Sequence, residues 1–128
     1  MPESDDCNLS ISHSGNTIVI GQSRISRIGV DVEVYNEKII RVSDKFLSSR
    51  EKKTFGQTDL KSLTTIWSAK ESFFKMFPDE HLNFAEQIEV LRLDPHPLVQ
   101  IQHLQGGLQY GFCVLQDENK VITWCMDR

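Results

Sequence analysis

The amino-acid sequence predicts an α+β domain in which helices pack on one face of an antiparallel sheet. Short segments rich in β-branched residues, separated by turn signals, occupy residues 8–35 and residues 85–125. Between these two groups lies one long amphipathic segment that ends before Pro78. Strands followed by helices and then by strands favour the α+β arrangement.

Three short strands are expected in the amino-terminal part of the chain. Residues 8–13 alternate between aliphatic and serine side chains, residues 17–20 are β-branched, and residues 28–35 alternate valine with acidic residues. Ser14-Gly15-Asn16 is a turn signal, and residues 21–27 form a second connection. We expect these three strands to form a meander.

Two helices are expected in the middle of the chain. Ser48 and Glu51 have the spacing of a capping box, and we favour this structural role for Glu51 over a direct role in a site. A long helix is predicted from Asp59 to Phe77, where Pro78 stops it. Its apolar surface is broader than one stripe, so the helix should lie across a sheet.

The carboxyl-terminal third is expected to return to strands and carries no chemistry that the sequence identifies. The predicted strands are residues 85–93, 98–103, 108–115 and 121–125. The turn signals between them are Asp94-Pro95-His96-Pro97, Gln105-Gly106-Gly107 and Asp117-Glu118-Asn119.

Length and composition indicate a soluble globular protein. The chain has 128 residues, the length of one domain, and we take residues 1–128 as a single unit. No apolar run approaches the roughly 20 residues of a membrane span, and the first residues do not resemble a signal peptide. Cys7, Cys113 and Cys125 lack metal-site or disulfide spacing. Reduced cysteines predict a cytoplasmic location.

The net charge of −4 conceals an uneven distribution of charged residues. Residues 38–75 contain nine basic and four acidic residues, whereas the rest of the chain contains five basic and fourteen acidic ones. A basic middle indicates an anionic partner at one face rather than general nucleic-acid binding. Solvated helix faces would have the same composition, so charge alone leaves both interpretations open.

Three acidic residues from two predicted elements are the candidate functional residues. Asp31 and Glu33 point to the same face of a strand, with Cα atoms roughly 6.6 Å apart, so both carboxylates can reach one cation. In the long helix, Trp67, Glu71 and Lys75 recur at every fourth position and share one face. Three carboxylates beside lysines suit a magnesium ion that also holds a phosphate-bearing substrate.

Each of these residues also has a purely structural interpretation. Asp31 and Glu33 taken alone would be exposed acidic residues of a strand. Glu71 and Lys75 taken alone would be a surface ion pair worth about 0.3–0.5 kcal/mol. Their joint occurrence in this order favours the functional interpretation.

The order of these residues resembles the signature of the 4′-phosphopantetheinyl transferase superfamily. The motifs that carry the resemblance are Ile11-Ser12-His13-Ser14-Gly15, Gly29-x-Asp31-x-Glu33, Phe46-x-x-x-x-Glu51 and Trp67-Ser68-x-Lys70-Glu71-x-x-x-Lys75. Gly-x-Asp-x-Glu alone would be weak evidence, because short acidic strands are common. The resemblance implies an α+β lobe that transfers the phosphopantetheine arm of coenzyme A to a serine of an acidic carrier protein.

The resemblance also implies residue roles. Asp31, Glu33 and Glu71 would be the ligands of Mg²⁺, and Glu71 or a metal-bound water would take the proton of the carrier serine. Lys75 would act in catalysis by contacting the phosphates of coenzyme A.

Three further residues are expected to bind coenzyme A. Lys70 would flank the diphosphate, and Ser12 and His13 would meet the phosphates from the neighbouring strand.

The short segment before the first motif departs from the two-lobed members of the family. About a dozen residues precede His13, so the chain corresponds to the second lobe alone and is no longer than the compact class whose subunits share active sites. We therefore expect a homo-oligomer, with a trimer ahead of a dimer, in which a neighbour supplies missing coenzyme contacts. Alternatives are a lobe that binds coenzyme A or a carrier protein without turnover, and an interaction domain. The carrier, from fatty-acid, polyketide or peptide synthesis, is left open.

Overall fold

The computed structural model describes residues 7–77, 83–101 and 109–127 and confirms the α+β class. The strands within these residues are β1 (Asn8–Ser14), β2 (Thr17–Ser23), β3 (Ile28–Val34), β4 (Ile88–Arg92), β5 (Leu98–Ile101), β6 (Gln109–Gln116) and β7 (Lys120–Met126). The helices are α1 (Lys38–Arg41), α2 (Ser49–Phe55) and α3 (Leu60–Met76), with a 3-10 turn at Ser43–Lys45.

The strands form two sheets, and the predicted meander is wrong. β1 and β2 pair with each other in a hairpin, whereas β3 pairs with β7 at one edge of a five-stranded sheet. The order of that sheet is β3-β7-β6-β5-β4, and every pairing is antiparallel. The second and third strands are therefore neighbours in sequence that do not share a ladder.

Side chains replace the missing ladder between the hairpin and β3. Serine hydroxyls on one face of β1 accept hydrogen bonds from backbone N–H groups of β3: Ser10 from Val30 at 3.0 Å, Ser12 from Val32 at 3.1 Å and Ser14 from Val34 at 3.3 Å. These bonds satisfy edge amides that a neighbouring strand would otherwise pair. An added Cβ at Gly21 would come within 2.5 Å of Val30 Cγ1, so β2 needs a small residue where it crosses β3.

The long helix lies across the five-stranded sheet, as predicted. α3 spans Leu60–Met76, and the predicted ends, Asp59 and Phe77, are its caps. It packs against β3 and β7 and buries the face that carries Leu63, Ile66 and Phe73. Because this face is covered by the sheet, the remaining row with Glu71 is free to line a site beside β3.

The carboxyl-terminal strands are found where the sequence predicts them, with ends that differ by up to three residues. The predicted turn at Gln105-Gly106-Gly107 and the end of the predicted strand at residues 102–103 lie outside the described residues. Cys7, Cys113 and Cys125 are free thiols. Among the described residues, no helix is both long enough and apolar enough to cross a membrane.

Candidate metal centre

Asp31, Glu33 and Glu71 converge between β3 and α3. One carboxylate oxygen from each residue lies within 4.8 Å of the corresponding oxygens of the other two. Oxygens that share one Mg²⁺ lie at most about 4.2 Å apart, because Mg–O bonds are about 2.1 Å long. Modest side-chain adjustments would therefore bring all three carboxylates to a single cation.

The close approach of the helix to the strand depends on Gly29. This glycine lies two residues before Asp31 and shares its face of β3. A Cβ atom at position 29 would overlap the backbone carbonyl of Ser72 in α3. The missing side chain lets α3 settle against β3, and Glu71, the residue before Ser72, thereby comes beside Asp31.

Asp31 is buried without enough partners for an ionised carboxylate. Its side chain is 3% exposed, and among the described residues its Oδ2 atom has no hydrogen-bond partner. Its Oδ1 atom accepts a hydrogen bond from Ser12 Oγ at 3.4 Å and lies 3.6 Å from Lys75 Nζ. Burial raises the pKa of Asp31 to about 8, and Glu33 adds to the rise, while Ser68 and Lys75 oppose it.

The other two carboxyl groups respond to burial in the same direction. Burial raises the pKa of Glu33, and the nearby Glu71 adds to this effect. Burial also raises the pKa of Glu71, with a contribution from the charge of Asp31. Among the described residues, the three carboxylates and the unpartnered Oδ2 atom of Asp31 have only partial charge compensation, from Lys75. A hard divalent cation with oxygen ligands is the group that such a donor set fits.

Lys75 supplies one positive charge at this cluster. Its ammonium donates to the backbone carbonyls of Val30 at 3.0 Å and Ile11 at 3.5 Å, so it ties α3 to β3 and to the hairpin. The side chain is partly exposed, which leaves it open to a ligand on the solvent side.

The two candidate residues of β1 are placed on opposite faces of the hairpin. Ser12 is buried against β3, where its hydroxyl accepts from Val32 and donates to Asp31. His13 is exposed on the outer face, because successive strand residues alternate. The structure therefore brings Ser12 to the carboxylates and does not bring His13 there.

The expectation that Lys70 flanks a diphosphate is overturned by the structure. Its side chain is 0% exposed, and its ammonium donates to the backbone carbonyls of Phe46 and Phe84 and to Glu51 Oε1, at 2.5 to 2.7 Å. These bonds use all three donors of a lysine. Successive residues lie about 100° apart around a helix, so Lys70 points into the protein interior while Glu71 points towards β3.

Glu51 is the partner that sequence reasoning did not connect to Lys70. The predicted capping box with Ser48 is confirmed, and Glu51 Oε2 also accepts from the backbone N–H of Val90 at 2.6 Å. This fully buried pair joins α2, α3 and β4. Glu51 and Lys70 each lie inside one of the sequence motifs. Nothing in the spacing of the two residues indicates that they form an ion pair.

A cavity of about 480 Å³ opens beside the carboxylates. The residues that line it include Glu33, Ile39, Val42, Lys45 and Trp67. Trp67 opposes the rise in the pKa of Glu33, and its ring lies 5.3 Å, between ring centroids, from that of Phe46. The cavity thus connects an apolar surface that carries Lys38 and Lys45 to Glu33 of the acidic cluster.

Comparison with known proteins identifies a family for most of the chain. A family model described as the 4′-phosphopantetheinyl transferase superfamily matches residues 27–125. The matched part includes β3, α3 and all three carboxylates, and it begins after the β1–β2 hairpin. No curated protein matches the chain.

Proposed function

The chain belongs to the 4′-phosphopantetheinyl transferase superfamily, and from this we propose that it transfers the 4′-phosphopantetheine arm of coenzyme A to a serine of an apo carrier protein. The other product is adenosine 3′,5′-bisphosphate. We propose that residues 1–128 act as one domain, in the cytoplasm and as a homo-oligomer. The observation that carries the proposal is the convergence of Asp31, Glu33 and Glu71 on one point.

Asp31, Glu33 and Glu71 are the residues that would hold Mg²⁺. The buried, unpartnered Oδ2 atom of Asp31 supports this assignment, because a cation would satisfy it. Bound there, Mg²⁺ would neutralise the negative charge that gathers on the diphosphate of coenzyme A as its phosphorus–oxygen bond breaks.

The protein's own side chains would orient the phosphates and move the proton. The ammonium of Lys75 lies beside Asp31 and is partly exposed, so it can contact a phosphate as a point charge. The hydroxyl of Ser12 donates a hydrogen bond to the same oxygen of Asp31 and helps to position that carboxylate. Glu71 is more exposed than Asp31, and burial raises its pKa, so a free oxygen of Glu71 is suited to accept the proton of the carrier serine.

An acidic carrier would approach across the cavity beside Glu33. Lys38 and Lys45 line that cavity together with the aliphatic side chains of Ile39 and Val42. Lysines at the edge of an apolar surface complement acidic residues around an apolar contact and steer association. A carrier bound there would bring its serine to the side of the cluster formed by Glu33.

Mass spectrometry of carrier proteins tests this proposal. The protein is incubated with coenzyme A, Mg²⁺ and a panel of apo carriers, and we expect one or more carriers to gain the mass of the phosphopantetheine arm. Glu71→Gln should abolish this gain. Glu118→Gln, a change of an exposed acid in the β6–β7 turn, is the matched control and should leave it intact.

Two outcomes would count against transfer. Magnesium-dependent binding of coenzyme A without a mass gain in any carrier would indicate a binding lobe without turnover. No binding of coenzyme A at all would leave only an interaction domain.

A further inference from the structure

The β1–β2 hairpin has inverted polarity. Its inner face, which lies on β3, carries mainly small and polar residues beside Val19, including the buried Ser10, Ser12, Gly21 and Ser23. Its outer face carries four aliphatic side chains that are between 58% and 70% exposed: Leu9, Ile11, Ile18 and Ile20. We call these four residues the outer hairpin face. A sheet with one solvated face normally directs its polar residues outward.

The four side chains form one continuous patch. Ile11 lies opposite Ile20 in the ladder, Ile18 lies opposite His13, and Leu9 lies opposite Gln22. Directly opposite residues in an antiparallel pair share a face, with Cβ atoms about 5 Å apart. The patch contains no Lys, Arg, Asp or Glu side chain.

Contacts within the described residues explain why the hairpin does not turn this patch inward. The serines of β1 are fixed by their bonds to the amides of β3, and Gly21 fits against Val30. A one-residue slip of the hairpin would exchange its two faces and break those bonds. The inner face is therefore committed to β3, and the described residues leave the outer hairpin face uncovered.

We propose that a second copy of this chain covers the outer hairpin face, in a two-fold symmetric dimer with the two hairpins packed face to face. An uncharged patch is complementary to itself, because apposing two copies creates no like-charge contact. An acidic carrier protein is the wrong occupant, since its charges would find no counterpart on this patch.

The size of the patch fits this occupant. Four large aliphatic side chains provide on the order of 400 Å² of apolar surface per copy, at about 100 Å² each. A stable interface buries about 800 Å² per partner, and somewhat more than half of that area is apolar. The outer hairpin face supplies most of that apolar area, and the surrounding His13 and Gln22 belong to its rim.

The dimer would also change the surroundings of His13. This residue lies at the turn end of the same outer face, on the side of β1 opposite Ser12. A second copy on the hairpin would adjoin His13 while leaving Ser12 directed at Asp31. The interface itself does not depend on the proposed transfer reaction.

Light scattering after size-exclusion chromatography tests the dimer. The wild-type chain should have twice its monomer mass of 14.7 kDa. Ile11→Lys and Ile20→Lys should each give the monomer mass, with unchanged circular dichroism, because both side chains are exposed. Leu115→Lys is the matched control: Leu115 is 61% exposed on β6, outside the patch, and its variant should remain a dimer.

A milder variant keeps the test valid if a lysine variant does not fold. Ile20→Thr retains a β-branched strand residue and should raise the dissociation constant of the dimer at least tenfold, measured by sedimentation velocity. A monomeric wild type at micromolar concentration would overturn the proposal. An assembly of any size that persists unchanged in Ile20→Lys and Ile20→Thr would overturn it as well.

Discussion

The backbone carbonyl of Ser72 in α3 fills the space that a side chain at position 29 of β3 would occupy. Gly29 thus sets how closely the helix approaches the strand. Asp31 lies two residues further along the same face of β3, and Glu71 directly precedes Ser72. The distance between the carboxylates therefore follows from a backbone contact.

Gly29→Ala should damage the carboxylate cluster before it damages the rest of the fold. The new methyl group meets backbone rather than a flexible side chain, so α3 must move away from β3. We expect a loss of about 1–3 kcal/mol in the free energy of unfolding. Thermal melting measures that loss. Binding of Mg²⁺ should raise the melting temperature of the wild type, and this increase should disappear in Gly29→Ala.

Gly111→Ala is the control for this change. A Cβ atom at position 111 would make an ordinary 3.7 Å contact with the carbonyl oxygen of Pro97, so its effect should stay within about 0.5 kcal/mol. A Gly29→Ala protein that melts with the wild type and keeps its response to Mg²⁺ would contradict the argument.

The stability of the metal-free protein should fall as the pH rises from 4 towards 8. The pKa of Asp31 is raised from 3.8 to about 8, so between these values the folded state holds a proton that the unfolded state has lost. Stability then decreases with pH, and this contribution is complete below pH 3.8 and lost as the pH passes through about 8. Glu33 and Glu71 act in the same direction, because their pKa values are also raised.

Asp31→Asn isolates this effect. The variant should lose less stability than the wild type between pH 5 and pH 8, by at least about 1.4 kcal/mol, which corresponds to one pKa unit. Melting curves in the presence of a chelator measure the difference. Millimolar Mg²⁺ at pH 8 should restore stability to the wild type and not to Asp31→Asn. Parallel pH profiles for the two proteins would show that Asp31 is not the titrating group.

Removing one member of the Lys70–Glu51 pair should destabilise the fold strongly. Lys70→Met leaves Glu51 buried without its cation and leaves two carbonyls, those of Phe46 and Phe84, without a donor. A loss of about 3–5 kcal/mol is expected for either Lys70→Met or Glu51→Gln. The double variant should lose less than the sum of the two, as denaturant titration of all three proteins would show. Full stability of Lys70→Met together with a selective loss of coenzyme A binding would instead indicate that Lys70 contacts coenzyme A.

Lys75→Met should reduce activity strongly and stability only slightly, in contrast to Lys70→Met. Lys75 is partly exposed, and its bonds reach the backbone carbonyls of Val30 and Ile11, so about 1 kcal/mol of stability should be lost. The kcat/KM for transfer to a carrier should fall by about 10²–10³-fold, the effect of removing one charge-stabilising donor. Lys120→Met, at an exposed ion pair with Asp117, is the control and should leave kcat/KM unchanged. An unaffected kcat/KM in Lys75→Met would remove Lys75 from the proposed mechanism.

Local periodicity was sufficient to predict most elements and the composition of the cluster. The two-residue period of β3 placed Asp31 and Glu33 on one face, and the four-residue spacing in α3 placed Glu71 and Lys75 in one row. The capping box of α2 was equally readable, because it is a contact between residues three positions apart. Whether the three carboxylates bind a metal stays a prediction.

Contacts between distant residues decided the rest. The serines of β1 alternate like those of any strand, and nothing in their spacing indicates that they bond to β3 in place of a backbone ladder. Lys70 and Glu71 are adjacent charged residues, and only the packing of α3 turns the first towards Glu51 and the second towards Asp31. The sequence determined the period and the chemistry of each element, because these depend on neighbours along the chain. The tertiary structure alone decided which faces meet, because that depends on the packing of residues far apart in sequence.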